Sequence, residues 1–186
     1  MLIYEALQRD HLKLKALTTE LLVVGEKKEL RRAKLIIEEI RDELIPHSRA
    51  EEAVFYNVLA TSETTEPLIL HRGFQEHFEA ESALRALLAK SSVDLEWMLL
   101  AKKFQKLTED HIQEEETEIF EFAKKMISDT EAEMMTTAFE QLKPKVQKEG
   151  WVKDALDLAS KLMPPRYAAT LRTFALKSDS ILRSNQ

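Results

Sequence analysis

One unit occurs twice in this chain. An acidic residue and a histidine, Asp10-His11, are followed by His47-Ser48-Arg49-Ala50-Glu51-Glu52. Glu76-His77 are followed by His111-Ile112-Gln113-Glu114-Glu115-Glu116. The two histidines of a unit lie 36 residues apart in the first copy and 34 in the second. Residues four apart on a helix share a face, one turn above the other. Each His-x-x-x-Glu therefore aims an imidazole and a carboxylate at one point. Two copies supply four histidines and two glutamates, a set that suits a pair of metal ions inside a helical bundle.

The rest of the chain reads as the bundle that such a site needs. It has 186 residues with 3 glycines and 5 prolines, and 44% are hydrophobic. Few breakers and much Leu, Ala, Glu and Lys predict an all-helical protein. The length suits one domain with an appendage. The net charge of −6 argues against nucleic-acid binding, which needs basic stripes. The charge is −7 over residues 1–127 (18 basic, 25 acidic) and +1 beyond (9 basic, 8 acidic), which predicts a bundle over 1–127 and a helical extension over 128–186. No cysteine is present, so thiolate metal sites, iron–sulfur clusters and cysteine nucleophiles are excluded. The N-terminus meets charge at once and no apolar run reaches membrane-spanning length, so a cytoplasmic protein is expected.

Hydrophobic periodicity predicts four long helices. The first runs from about Ile3 to Val24, is ended by Gly25, and carries Leu7, His11, Leu14, Leu17 and Leu21 on one stripe. The second spans about Leu30 to Leu59 with Ile37, Ile40, Leu44, His47, Glu51, Val54, Phe55 and Val58, and Pro46 predicts a kink or break just before His47. After a polar linker over 61–66, Pro67 opens a third helix with Leu70, Phe74, His77, Leu84 and Leu88. Ser91, Ser92 or Asp94 caps a fourth, which carries Trp97, Leu100, Phe104, Leu107, His111, Glu115, Ile119, Phe122 and Met126. Short connections predict up-down-up-down packing. Ser128-Asp129-Thr130 with Glu133 reads as a capping box opening a fifth helix that ends near Gly150. Residues 152–163 and 166–183 read as further helices around Pro164-Pro165.

The polar residues fall on the apolar stripes. His11, His47, Glu51, His77, His111 and Glu115 all take positions where side chains are buried. A buried carboxylate costs several kcal/mol unless something pairs with it. A lone histidine on an apolar face is usually a core residue, but four at matching positions with two carboxylates call for a common partner. Cations supply one, and carboxylate with imidazole suits iron, manganese or zinc. The ferritin-like Glu-x-x-His pattern is absent, since Leu44, Phe74 and Thr108 occupy those positions. Glu114 rivals Glu115, but the first copy has Ala50 at the matching place, and the repeat therefore selects Glu115. Glu52 and Glu116 are rotated away, toward solvent or a supporting role. Tyr4 and Tyr56 are candidates to hydrogen-bond a ligand at the site.

At these residues the chain resembles the hemerythrin-like family of HHE cation-binding domains, over about residues 3–127. The resemblance implies a four-helix bundle around a non-haem diiron centre with two iron ions, bridged by Glu51 and Glu115 and held terminally by His11, His47, His77 and His111. The family's oxygen carriers have a further histidine four residues before the one matching His77, where this chain has Gly73, and an aspartate where it has Glu116. His71 lies six residues before His77, about 120° away around the helix, and is not expected to be a ligand. The expected function is a cytoplasmic protein that binds or senses a diatomic ligand, oxygen or nitric oxide, without turnover. The alternatives are a diiron enzyme or iron donor in peroxide or nitric oxide stress or iron–sulfur repair, and a metal-stabilised module that meets a protein partner or a second copy through residues 128–186.

Overall fold

The computed structural model describes residues 1–61, 67–149 and 159–167, with side chains at all of these except 67–71 and 147–149. The expected linker after Thr61, the helices over 150–158 and beyond 167, and the side chain of His71 lie outside the described residues.

The fold is all-α. Helix α1 is Ile3–Glu26. Helix α2 covers 30–59 as Leu30–Glu51, a π-helical turn Glu52–Tyr56 and a last α turn Asn57–Leu59. Helix α3 is Pro67–Leu88. Helix α4 covers 95–126 as Leu95–Glu114, a second π turn Glu115–Ile119 and Phe120–Met126. Helix α5 is Asp129–Glu149. Each of α1 to α4 packs on its sequence neighbours, and α4 closes the ring on α1. Two cross-links fix the antiparallel sense of α1 and α2: Arg32 Nη2 to Glu20 Oε1 at 2.6 Å and, further from the connection, Lys13 Nζ to Glu43 Oε2 at 2.9 Å. Helix α5 lies along α2 and α1.

The core forms two apolar clusters with a polar layer between them. One gathers Ile3, Leu7, Phe55, Tyr56, Phe120 and, from α5, Phe139. The other gathers Leu14, Leu21, Ile37, Leu44, Leu84, Trp97 and Phe104. Each fully buried side chain of this size contributes about 1.5–3 kcal/mol. Four buried histidines lie in the layer that separates the clusters. Residues 159–167 return to the first cluster through Ala159, Met163 and Tyr167, and Arg166 Nη2 binds Glu131 Oε2 at 2.7 Å.

Three local expectations are corrected. Helix α1 runs past Gly25 to Glu26, and the left-handed residue that turns the chain is Lys28 (φ 56°). Gly25 is needed for close approach instead, because a Cβ there would sit 2.4 Å from Trp97 Cζ3 and 2.6 Å from Met98 Sδ. Helix α2 is unbroken through Pro46. Its irregularity is the π turn after Glu51, and α4 has the same turn after Glu114 with no proline. The departure follows the repeat and not the proline. The box that opens α5 pairs Ser128 with Glu131, not Thr130 with Glu133: Ser128 N–H donates to Glu131 Oε2 at 3.0 Å. Asp94 caps α4, accepting from the Trp97 N–H at 2.9 Å.

Gly25→Ala should therefore lower stability by about 1–3 kcal/mol through overpacking, although alanine is the better helix former. A melting temperature equal to or above that of the parent would show that Trp97 gives way freely.

Candidate metal centre

The six residues singled out by the repeat meet in the polar layer. Each of the two glutamates lies between a histidine one turn earlier on its own helix and a histidine from a neighbouring helix. Glu51 Oε2 is 3.6 Å from His47 Nε2 and 3.2 Å from His77 Nε2. Glu115 Oε2 is 3.9 Å from His111 Nε2 and 3.2 Å from His11 Nε2. The Nε2 atoms of His77 and His111 are 3.1 Å apart. Two groups bring one donor atom per residue to within 4.8 Å of one another: His11, His47 and Glu51, and Glu51, His77 and His111. Glu51 belongs to both groups. Glu115 spans them by its distances to His11 and His111. Glu114 points elsewhere and forms an ion pair with Arg72.

Four outer carboxylates set the direction of the imidazoles. His11 Nδ1 meets Glu116 Oε1 at 2.9 Å, His47 Nδ1 meets Asp10 Oδ2 at 3.2 Å, His77 Nδ1 meets Glu52 Oε1 at 3.0 Å, and His111 Nδ1 meets Glu76 Oε2 at 2.9 Å. With Nδ1–H donating outward, each Nε2 lone pair faces the centre, as a metal-binding imidazole requires. The pattern is itself duplicated. The acid before a histidine serves the histidine of the next helix, and the second glutamate of each Glu-Glu serves the first histidine of the other copy. Glu52 and Glu116, left between solvent and support by their spacing, are both supports. Asp10 and Glu76 were visible in the repeat but carried no assigned role.

Around this shell lie Lys143, Arg9, Phe139, Arg49 and Glu81, which had no sequence signal, and Tyr56, Gly73 and Tyr4, which the sequence had singled out. Lys143 of α5 donates to Asp10 Oδ2 at 2.5 Å, and Arg9 Nη2 donates to Asp10 Oδ1 at 2.9 Å. Phe139 of α5 stands edge-on to His47, with ring centres 5.8 Å apart. Arg49 bonds both Glu52 and the buried Glu81, which Arg85 also binds. The Tyr56 ring stacks on His77 at 5.6 Å and 2°. Gly73 makes room for it, since a Cβ there would lie 2.6 Å from Tyr56 Cε2 and 3.0 Å from its hydroxyl oxygen. Tyr4 packs against Phe55 and Phe120. Both tyrosine hydroxyls are buried without a hydrogen-bond partner.

The electrostatics show what the centre lacks. Burial, reinforced by the charge of Glu115, pushes the Glu51 carboxyl well above the carboxylate range. Burial would raise Glu115 too, but Glu51 and His11 beside it hold it down. Burial opposes charge on His11, yet Glu115 and Glu116 outweigh it and push His11 up to about 9. Burial drives His47 down to about 4 against the pull of Asp10. Burial and nearby His77 lower His111. Without a cation, protons must be shared among these groups. Even so, both oxygens of Glu51, both of Glu115, and Nε2 of His11 and His47 are buried with no hydrogen-bond partner. Orphaned inward carboxylate and imidazole atoms are the donor set of a transition-metal cation, so the residues fit one.

The outer supports should matter measurably. Lys143→Met leaves Arg9 as the one cation paired with the buried Asp10 and loosens the Asp10–His47 contact, so divalent-metal affinity should fall about 10- to 100-fold with the fold retained. Calorimetric titration checks this, and an unchanged affinity would make Lys143 a packing residue only.

The comparisons with known proteins agree with the geometry. Neither the curated proteins nor the solved structures gave a match. The family comparison matched the hemerythrin HHE cation binding domain over residues 2–123, which contain both copies of the repeat, helices α1 to α3 and α4 up to Ala123. The chain belongs to the hemerythrin HHE cation-binding domain family.

Proposed function

We propose that this chain holds two iron ions, with Glu51 and Glu115 bridging and His11, His47, His77 and His111 as terminal ligands, and that the pair binds or senses a diatomic ligand, oxygen or nitric oxide. The observation that carries this reading is the set of six inward donor atoms on Glu51, Glu115, His11 and His47 that are buried without partners, beside the Nε2 atoms of His77 and His111, which approach each other. When bound, an iron pair supplies a redox-active Lewis-acid centre able to take up a small ligand. The protein's own residues hold the imidazoles through the four outer carboxylates, keep bulk water out with the two apolar clusters, and limit the approach to small molecules. Tyr56 packed into the space that Gly73 leaves favours binding chemistry different from that of the family's oxygen carriers, because the place of their additional histidine is already filled.

Metal analysis of protein purified without oxygen should give two irons per chain. Glu51→Ala or Glu115→Ala should lose at least one, while Glu114→Ala keeps both. If Glu114→Ala empties the centre instead, the ligand register on α4 is wrong. His71→Ala should keep both irons and their absorption bands, and His77→Ala should lose them. Loss of an iron from His71→Ala would restore an oxygen carrier as the first choice.

Metal and fold should also be coupled. Removing the metal leaves the polar layer with no cation to pair it, so the apo protein should melt at a lower temperature, by mass action on the native state. Identical melting curves with and without metal would refute that coupling. Optical titrations with oxygen and nitric oxide that saturate without turnover support binding or sensing. Steady-state consumption of nitric oxide or peroxide would make the protein an enzyme.

A further inference from the structure

One buried hydroxyl is left unused by everything described so far. Ser48 follows His47 on α2, is fully buried, and its Oγ has no hydrogen-bond partner. A buried hydroxyl inside a helix ordinarily bonds back to a carbonyl of the preceding turn. Three others here do so: Thr18 to Lys15 O, Thr108 to Phe104 O and Thr136 to Ala132 O. Ser48 instead lines a small, partly covered void of about 10 Å³. All four site histidines border this void, on the side of the Leu14 and Leu44 cluster. Its other walls are Leu14, Leu44, Ala80 and Ile112, with Thr108 already committed to its own helix and Glu76 to His111 Nδ1. A void of this size holds about one water molecule.

From this we infer that the void beside Ser48 is the ligand chamber of the centre, and that Ser48 Oγ donates a hydrogen bond to the molecule that occupies it. The inference rests on the small-ligand reading above and adds its selectivity. The chamber has room for one water-sized group, so it takes a water or the outer atom of a two-atom ligand whose inner atom is held at the centre. It favours one whose outer atom accepts a hydrogen bond well over one whose outer atom accepts poorly. An apolar occupant would leave the Ser48 hydroxyl unpaired, which costs about 1–3 kcal/mol. Tyr56 belongs to the opposite apolar cluster and does not line this void.

The test uses the full chain loaded with iron and two diatomic probes: cyanide on the oxidised protein, an anion with a strong outer acceptor, and nitric oxide on the reduced protein, a weak one. Metal content and the infrared stretch of each probe are read alongside affinity. Ser48→Ala should keep both irons, weaken cyanide about five- to tenfold and shift its stretch, while nitric oxide changes less than about twofold. Ser48→Thr keeps the hydroxyl but crowds the chamber, so cyanide should weaken while its stretch stays closer to that of the parent. Ser48→Val fills the chamber and should abolish cyanide binding with the irons retained. Unchanged cyanide affinity and stretch in Ser48→Ala, with the parent binding both probes, would overturn the Ser48 assignment and leave the small-ligand reading intact. Loss of iron from a folded Ser48→Ala would also overturn it, placing Ser48 in metal retention. A parent protein that holds iron but takes up neither probe would overturn both readings.

Discussion

Two carboxylates, Glu51 and Glu115, face each other at the centre of the bundle without exposure to water. Much of the rest of the structure answers the cost of that arrangement. An ionised carboxylate out of water is penalised by several kcal/mol, and a second beside it adds repulsion, which is why Glu51 is driven toward its protonated form. Aromatic and aliphatic layers above and below deny the pair any route to solvent. Four imidazoles close the sides, each with a lone pair turned inward by an outer carboxylate. The layer has strong acceptors facing in and few hydrogens to satisfy them. Protons answer this imperfectly, and a cation answers it directly.

Duplication explains how so polar a layer is built from simple helices. One unit supplies an inner histidine and glutamate one turn apart, together with two outer acids, and the second copy supplies the same set from the opposite side. The acids do not serve their own histidines. Asp10 reaches His47 and Glu76 reaches His111 across a helix–helix contact, while Glu52 and Glu116 reach the histidines of the other pairing. Each helix of the ring is therefore tied to a neighbour through the centre. The π turns Glu52–Tyr56 and Glu115–Ile119 fall within one residue of the same place in both copies, where the chain passes from the polar layer into the aromatic cluster. Such turns recur at functional sites.

The all-α fold and the inner residues were legible because helical periodicity places them on apolar stripes, and a buried charge on such a stripe is conspicuous. That Glu115 faces the centre and Glu114 does not was legible from the repeat alone. What periodicity could not supply was anything depending on a neighbour distant in sequence. Gly25 looks like a helix stop in the chain but faces the Trp97 ring. Glu52 looks solvent-facing on an ideal helix, yet His77 of another helix comes to it. Lys143 and Phe139 belong to α5, whose own sequence carries no motif, and their contact with Asp10 and His47 exists only once α5 lies against α2. The tail beyond Tyr167 lies outside the described residues, so its expected helices stay expectations.

The outer shell also breaks the symmetry that the repeat would impose. Asp10 is held by Lys143 and Arg9, and Glu52 by Arg49. Glu76 bonds His111 while partly exposed, and among the described residues no basic side chain is paired with it. A carboxylate already shared with a cation is a weaker acceptor for an imidazole N–H than one that is not, so His111 receives the stronger push of electron density and His47 the firmer positioning. These two histidines fall in different donor groups, one with His11 and one with His77. Helix α5 therefore does more than cover apolar surface. By placing Lys143 and Phe139 against Asp10 and His47 only, it gives the two halves of a duplicated site different surroundings. In the iron pair proposed above, such unlike surroundings would let one cation be held firmly while the other responds to a small ligand.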